Sequence, residues 1–151
     1  MRTKSTASLA SLAAAALFLT GCSVASAHED PSPAVVKSIP GSAVKRLELT
    51  QQAIHRLGIT TVAVRTGQPA VDGHRGTYKL IPYSAVVYDN DGSTWTYVNT
   101  APRTFQRARI AVGAIHGDTA ILVSGPARGA SVVTVGAPEL LGTEYDISGE
   151  E

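Results

Sequence analysis

Residues 105–124 read FQRARIAVGAIHGDTAILVS, two short apolar runs on either side of a polar turn at residues 116–118. In the first run, apolar residues alternate with Arg107 and Arg109. This is the period of a strand that has one face in a core and the other in water. We therefore expect both arginines on a solvent-exposed face.

Short apolar runs of the same kind recur between Gly, Pro, Asn and Asp residues on both sides of this segment. They fall at residues 77–81, 85–88, 95–98, 105–112, 119–124 and 131–135. The spacing leaves no room for crossover helices, which a parallel sheet would need. The sequence therefore predicts a mainly β domain over residues 77–142, a small antiparallel barrel or sandwich of about six short strands, followed by an acidic tail over residues 143–151.

An opening segment at residues 42–66 has a strand–helix–strand pattern. Alternating leucines and charged residues before Thr50 predict a short strand, and Thr50 stands where a helix N-cap is expected. One short helix is predicted near residues 51–57, with Gly58 as its end, and β-branched residues then predict a second strand. The glycines and proline that follow, up to residue 76, are typical of a loop.

The sequence Asp89-Asn90-Asp91-Gly92 lies between two predicted strands. A calcium loop would need a bidentate glutamate further along, whereas Asn, Asp and Gly suit the positive φ angles of a hairpin turn. We interpret the segment as a turn whose tip faces solvent. The candidate contacts for a protein partner are Asp89, Asn90, Asp91, Arg107 and Arg109.

The first residues have the three parts of a secretory signal: a basic start, an apolar run at residues 9–19, and the sequence Leu19-Thr20-Gly21-Cys22. The run is shorter than the roughly 20 residues that a membrane span requires. Its ending resembles the lipobox of bacterial lipoproteins, and an ordinary signal peptide is the alternative. The resemblance implies that residues 1–21 are a lipoprotein signal peptide and that Cys22 carries the lipid.

Residues 22–41 are rich in Ser, Ala and Pro, a composition that predicts a flexible tether. At full extension such a tether would reach about 65 Å. His28, Glu29 and Asp30 lie within it, but three adjacent polar residues on a flexible chain form no preset metal geometry.

Composition excludes several classes of function. With 13 basic and 12 acidic side chains the net charge is +1, so we expect no nucleic-acid partner. The single cysteine excludes an internal disulfide and multi-cysteine metal frameworks. No catalytic constellation is evident, and His28, His55, His74 and His116 lie far apart in the sequence. We therefore expect a non-enzymatic protein without a cofactor, unless the histidines assemble in three dimensions.

The order of motifs resembles that of periplasmic adaptor subunits, the membrane fusion proteins of the HlyD type. The matching motifs, in order, are Leu49-Thr50, Leu57-Gly58-Ile59-Thr60, Ile81-Pro82, Ala85-Val86-Val87, Trp95-Thr96-Tyr97-Val98, Gly113, Gly136-Ala137 and Leu140-Leu141. The later motifs match the membrane-proximal domain of that family. The family's lipoyl and helical-hairpin domains are missing, since only twelve residues separate Val64 from Thr77. Ala130 also replaces a common aspartate.

The resemblance implies a non-enzymatic adaptor-like module, anchored to the cell membrane by lipid and facing its extracytoplasmic side. Its partners would be the bilayer, through the acylated Cys22, and a subunit of a membrane exporter for efflux or secretion. Without the helical hairpin it should not reach an outer-membrane channel. The alternative is a small surface lipoprotein that binds a ligand or a metal.

We expect Cys22→Ala, or an inhibitor of the lipoprotein signal peptidase, to leave an unprocessed precursor. The thiol is the only group in this segment that can take the lipid. Precursor and mature chain are distinguished by gel electrophoresis, and unchanged processing of the Cys22→Ala chain would contradict the lipobox interpretation.

Overall fold

The computed structural model of the protein describes residues 32–146, which form thirteen strands and two α-helices. The strands are β1 (Ala34–Ser38), β2 (Lys45–Leu49), β3 (Thr60–Ala63), β4 (Arg65–Gly67), β5 (Ala70–Val71), β6 (His74–Arg75), β7 (Tyr78–Pro82), β8 (Val87–Tyr88), β9 (Thr94–Ala101), β10 (Thr104–Arg109), β11 (Ala111–His116), β12 (Thr119–Ser124) and β13 (Ser131–Val135). The helices are α1 (Gln51–Leu57) and α2 (Ala137–Asp146), and a 3-10 turn covers Tyr83–Ala85. The expectation of a mainly β fold is confirmed, and its form is sandwich-like rather than a closed barrel.

Two antiparallel sheets carry the fold. The larger sheet has the order β1-β2-β10-β9-β13-β3, with β8 added beside β9, and the smaller has the order β11-β12-β7-β4. Strands from residues 42–66 and from residues 77–142 share the larger sheet, so these two stretches fold together. Single buried residues, Val64 and Ile110, separate β3 from β4 and β10 from β11, and at both points the chain passes from one sheet to the other. Strands that change sheet in this way form the corners of a sandwich.

The inner strands of the larger sheet contribute side chains to a core on each face, since successive residues of a strand point to opposite sides. The side chains on one face pack with α1 and α2 in a first core, which contains Leu47, Leu49, Ala53, Val87, Tyr97, Phe105, Val133, Ala137 and Leu140. The second core includes Val132 of the larger sheet together with Val64, Ile81, Ala85, Ile110, Ala120 and Leu122. The larger sheet is therefore the middle of three layers.

The predicted helix is confirmed with its caps. The Thr50 hydroxyl accepts a hydrogen bond from the Ala53 amide at 3.1 Å, which satisfies one of the free donors of the first turn. Gly58 ends α1 in the left-handed conformation at φ +61°, a geometry that glycine adopts without a steric penalty. Ala53 is buried in the first core, and Ile54 and Leu57 pack against it.

The prediction of a flexible tether over residues 22–41 is wrong for β1. This strand pairs with β2 in the register Ala34↔Leu49 to Ser38↔Lys45. Ala34 and Val36 pack against the first core, so the strand gains apolar contacts that the composition of the segment did not reveal. Residues 22–31, including Cys22, lie outside the described part of the chain, as does the lipobox.

The loop expected after residue 64 contains three of the short strands, β4 to β6. Asp72 and Gly73, at φ +50° and +77°, connect β5 to β6, as in the tight hairpin turns that need two positive φ angles. Val71 is buried, and it lies near Gly113 of β11. Burial of this one valine against the smaller sheet explains why a glycine-rich segment is ordered.

The prediction of an acidic tail over residues 143–151 is wrong for its first four residues, because α2 continues to Asp146. Leu140 is fully buried and Glu144, one turn further along, is 1% exposed. The physical reason is that this turn of α2 packs on the larger sheet, where Lys45, Tyr97 and Arg107 contact the Glu144 carboxylate. Within residues 32–146, no helix has the length and apolar character needed to cross a bilayer.

Candidate functional site

The turn between β8 and β9 has the geometry that the sequence predicts. The Asp89 amide donates to the Ser93 carbonyl and the Gly92 amide to the Asp89 carbonyl, both at 2.9 Å. Gly92 has φ +77°, which favours glycine at this position. The Asp91 carboxylate accepts from the Ser93 amide at 2.8 Å. The tip of the hairpin is thus closed by its own backbone and side chains, and Asn90 and Asp91 are exposed.

The structure corrects the expectation for Arg107. Its side chain is only 6% exposed and lies on the same face of the larger sheet as Phe105 and Tyr97, beneath α2. Alternation along a strand separates two faces, but it does not show that α2 covers Arg107 while Arg109, on the same face, stays exposed. Arg107 Nη1 lies 2.7 Å from Asp89 Oδ2, and its Nε lies 3.0 Å from Glu144 Oε1. The second contact is close enough for strong charge attraction but is not aligned as a hydrogen bond.

The Glu144 carboxylate is the second buried charge. Its Oε2 accepts a hydrogen bond of 2.6 Å from the Tyr97 hydroxyl, and its Oε1 accepts one of 3.1 Å from the Lys45 amide. Lys45 Nζ also donates to the Glu144 carbonyl at 3.1 Å. Because burying a charge is costly unless it is paired and hydrogen-bonded, these partners fix the last turn of α2 in one place.

Tyr145 links the hairpin to the guanidinium. Its hydroxyl accepts from Arg107 Nη1 at 3.1 Å and donates to the Asp89 carboxylate, with oxygen distances of 2.9 and 3.0 Å. The Arg107 guanidinium carbon lies 4.6 Å from the centre of the Trp95 ring and 5.3 Å from that of Tyr145, within the range of cation–π attraction. We call the following set the Arg107 cluster: Lys45, Asp89, Trp95, Tyr97, Arg107, Glu144 and Tyr145.

Four side chains of the Arg107 cluster have pKa values that are shifted in favour of their ordinary charge states. Hydrogen bonds from the Asn90 amide, Tyr145 and Arg107 lower the pKa of Asp89. Burial by itself would lower the pKa of Arg107, but the hydrogen bond to Asp89 and the charge of Glu144 outweigh it and raise that pKa. Burial and a hydrogen bond to a carboxylate raise the pKa of the Tyr97 and Tyr145 hydroxyls. The shifts of Asp89 and Arg107 both favour the charged forms, so the ion pair between these two side chains persists near neutral pH.

The structure brings the five predicted contact residues together, in two roles. Asp89 and Arg107 are part of the Arg107 cluster, whereas Asn90, Asp91 and Arg109 are exposed. The Arg109 guanidinium carbon lies 5.7 Å from the centre of the Trp95 ring, and its charge helps to lower the pKa of Asp91 after the larger effect of the Ser93 hydrogen bonds. We define the hairpin-tip surface as the partly or fully exposed side chains of Tyr88, Asn90, Asp91, Trp95, Arg109 and Tyr145.

Sequence reasoning missed the contributions of α2 and β2 to this site. Glu144 lies four residues after the buried Leu140, which places both on one face of a helix. Together with an arginine inside an apolar strand, that spacing was the available signal for an ion pair. Nothing local in the sequence indicates Lys45, because its role depends on the approach of two segments about a hundred residues apart.

The three described histidines lie on separate secondary-structure elements. His55, His74 and His116 lie on α1, β6 and β11, and all three are exposed. No group of three or more His, Cys, Asp or Glu side chains in residues 32–146 is placed to hold a metal ion.

Comparison with known proteins gives no match, either to a protein-family model or to a curated protein. The resemblance to periplasmic adaptor subunits stays a prediction from the order of motifs.

We expect Arg107→Ala to reduce the free energy of unfolding by about 3–5 kcal/mol, because it leaves the Glu144 charge buried without its main partner. Arg109→Ala is the matched control two residues away. It removes only an exposed charge near Trp95 and should cost about 1 kcal/mol or less. Urea unfolding curves measure both values, and equal losses would contradict the role given to the Arg107 cluster.

The pH dependence of stability should report on Asp89. Its pKa in the folded protein lies below the ordinary value of 3.8, so its stabilising effect is complete above that value and is lost as the pH falls through the folded-state pKa. We expect thermal unfolding midpoints to fall less steeply below about pH 4 in Asp89→Asn than in the wild type. Asp118→Asn is the control, since the exposed Asp118 carboxylate has no hydrogen bond or ion pair within residues 32–146, and it should leave the slope unchanged.

Proposed function

We propose that the protein is a lipid-anchored, extracytoplasmic and non-enzymatic module that docks on a membrane exporter through the hairpin-tip surface. The observation that carries this proposal is the combination of exposed Tyr and Arg side chains and the half-buried Trp95 with a buried ion-pair network that holds them in place. The exporter and the anchor come from the order of motifs and from the lipobox described above.

The composition of the hairpin-tip surface suits a protein interface. Tyr, Trp and Arg are enriched at such interfaces and supply most of the residues whose loss weakens binding strongly. Tyr88 and Tyr145 are 51% and 44% exposed, so each offers apolar area that a partner could cover. Exposed Asp91 and Arg109 add one charge of each sign. A surface of mixed charge favours a protein partner over a polyanion.

The hairpin-tip surface is also organised before binding. The Trp95 indole donates to the Ser93 hydroxyl at 2.7 Å, and the Tyr145 hydroxyl is held by Asp89 and Arg107. Side chains that are already fixed lose little conformational entropy when a partner binds. The Arg107 cluster therefore supports affinity even though its buried members do not face a partner.

The start of β1 supports a partner in or near the membrane. Ala34 is twelve residues after Cys22, so the chain between them spans at most about 40 Å. A lipid on Cys22 would thus hold the sandwich closer to the bilayer than the longer tether predicted from composition. Membrane proteins and their extracytoplasmic domains lie within that distance.

The test is recovery of a transporter with the tagged full-length protein after extraction of membranes in mild detergent. We expect an integral-membrane exporter to be retained with the wild type. Reversing both exposed charges, Asp91→Lys with Arg109→Glu, should reduce its recovery at least about tenfold, because complementary charges become like charges across the interface. The control, Asp118→Lys with Arg75→Glu, makes the same changes at exposed positions outside the hairpin-tip surface.

Two results would contradict the proposal. One is that no transporter is retained by the wild type under conditions in which the lipid-anchored chain itself is fully extracted. The other is an equal loss of transporter from both charge-reversed variants, which would show that the hairpin-tip surface is not the contact.

A further inference from the structure

A second feature lies where β3 passes into β4, at one corner of the sandwich. The loop over residues 125–130 packs beside this bend and forms an open cleft of about 370 Å³ with it. The cleft is lined by Ala63, Val64, Arg65, Thr66, Arg128 and Gly129. Neither the hairpin-tip surface nor the Arg107 cluster shares a residue with it.

Backbone hydrogen bonds fix the two sides of the cleft to each other. The Gly129 amide donates to the Val64 carbonyl at 2.9 Å, and the Val64 amide donates to the Ala130 carbonyl at 2.8 Å. A further bond of 3.1 Å from the Ala130 amide to the Ala127 carbonyl closes a four-residue turn. Gly129, at φ +87°, occupies the third position of that turn, where a positive φ favours glycine. Arg128 is thereby held at the second position, beside the strand that carries Arg65.

The charges at the cleft are all positive. Arg65 and Arg128 are exposed, and neither guanidinium forms an ion pair or a hydrogen bond within residues 32–146. Lys79 lies opposite Thr66 in the pairing of β4 with β7, and its Nζ donates to the Gly125 carbonyl of the same loop. The lining contains no carboxylate. By contrast, the buried Arg107 has two carboxylates beside it.

We propose that this cleft binds a phosphate group, with the guanidinium groups of Arg65 and Arg128 as its donors. Each guanidinium presents parallel N–H donors that match two oxygens of one phosphate, and such charge-assisted pairs are stronger than neutral hydrogen bonds. A phosphate has enough oxygens to engage both arginines, and the neighbouring Lys79 adds to the positive potential. The group could belong to a phospholipid headgroup or to free phosphate, and the inference depends neither on the exporter nor on the lipid at Cys22.

The experiment uses the purified full-length protein in a non-ionic detergent and measures binding by isothermal titration calorimetry. One arm titrates inorganic phosphate. The other titrates micelles of the same detergent containing phosphatidylglycerol, with phosphatidylcholine micelles for comparison. We expect saturable binding in at least one arm, and we expect Arg65→Gln with Arg128→Gln to weaken it at least about tenfold.

The matched control is Arg46→Gln with Arg75→Gln, which removes the same two charges from exposed positions outside the cleft. It should bind as the wild type does. Both double variants should keep the wild-type unfolding temperature, and the single variants Arg65→Gln and Arg128→Gln serve if a double variant does not fold.

The two arms distinguish free phosphate from a lipid headgroup as the ligand of the cleft. Arginine-dependent binding of inorganic phosphate supports the site and shows that free phosphate suffices. Binding of phosphatidylglycerol micelles alone, lost in the cleft variant, supports the site and assigns it to a headgroup. No binding in either arm, or equal weakening by the cleft and control variants, would overturn the proposal.

Discussion

The guanidinium of Arg107 joins three segments that are far apart in the sequence: the hairpin between β8 and β9, strand β10, and the last turns of α2. A buried charge is tolerated only while its partners stay in place, so these segments cannot shift independently. Loss of Glu144 or Asp89 from the contact would leave a charge in a site that water reaches poorly. The position of α2 over the larger sheet and the shape of the hairpin tip are therefore coupled.

Local signals in the sequence predicted the elements that depend on local chemistry. Thr50 and Gly58 define α1 because a capping hydroxyl and a left-handed glycine act within one turn of a helix. Strand β1 was missed because its order comes from pairing with β2 and from the packing of Val36, neither of which is visible in a segment rich in Ser, Ala and Pro. The same reason applies to β5 and β6, which depend on burial of one valine.

The candidate site was predictable in part. The turn at Asp89 follows from Asp, Asn and Gly between two strands, and the structure brings Arg107 and Arg109 to it. The period of two in β10 showed that these arginines share a face, but it could not show that α2 covers one of them. Burial of Arg107 depends on contacts with Glu144 and Tyr145, some forty residues later in the chain. Such long-range contacts are hard to predict from a single sequence.

Strand β1 forms an edge of the larger sheet, and an edge strand offers unpaired backbone groups to other chains. This edge is only five residues long, it is flanked by Pro33 and Pro40, and it carries the exposed Lys37. Short length, proline and lysine all oppose edge-to-edge aggregation. If the protein is anchored in the plane of a membrane as proposed, where copies meet often, this edge would let many molecules crowd together without joining into a continuous β ribbon.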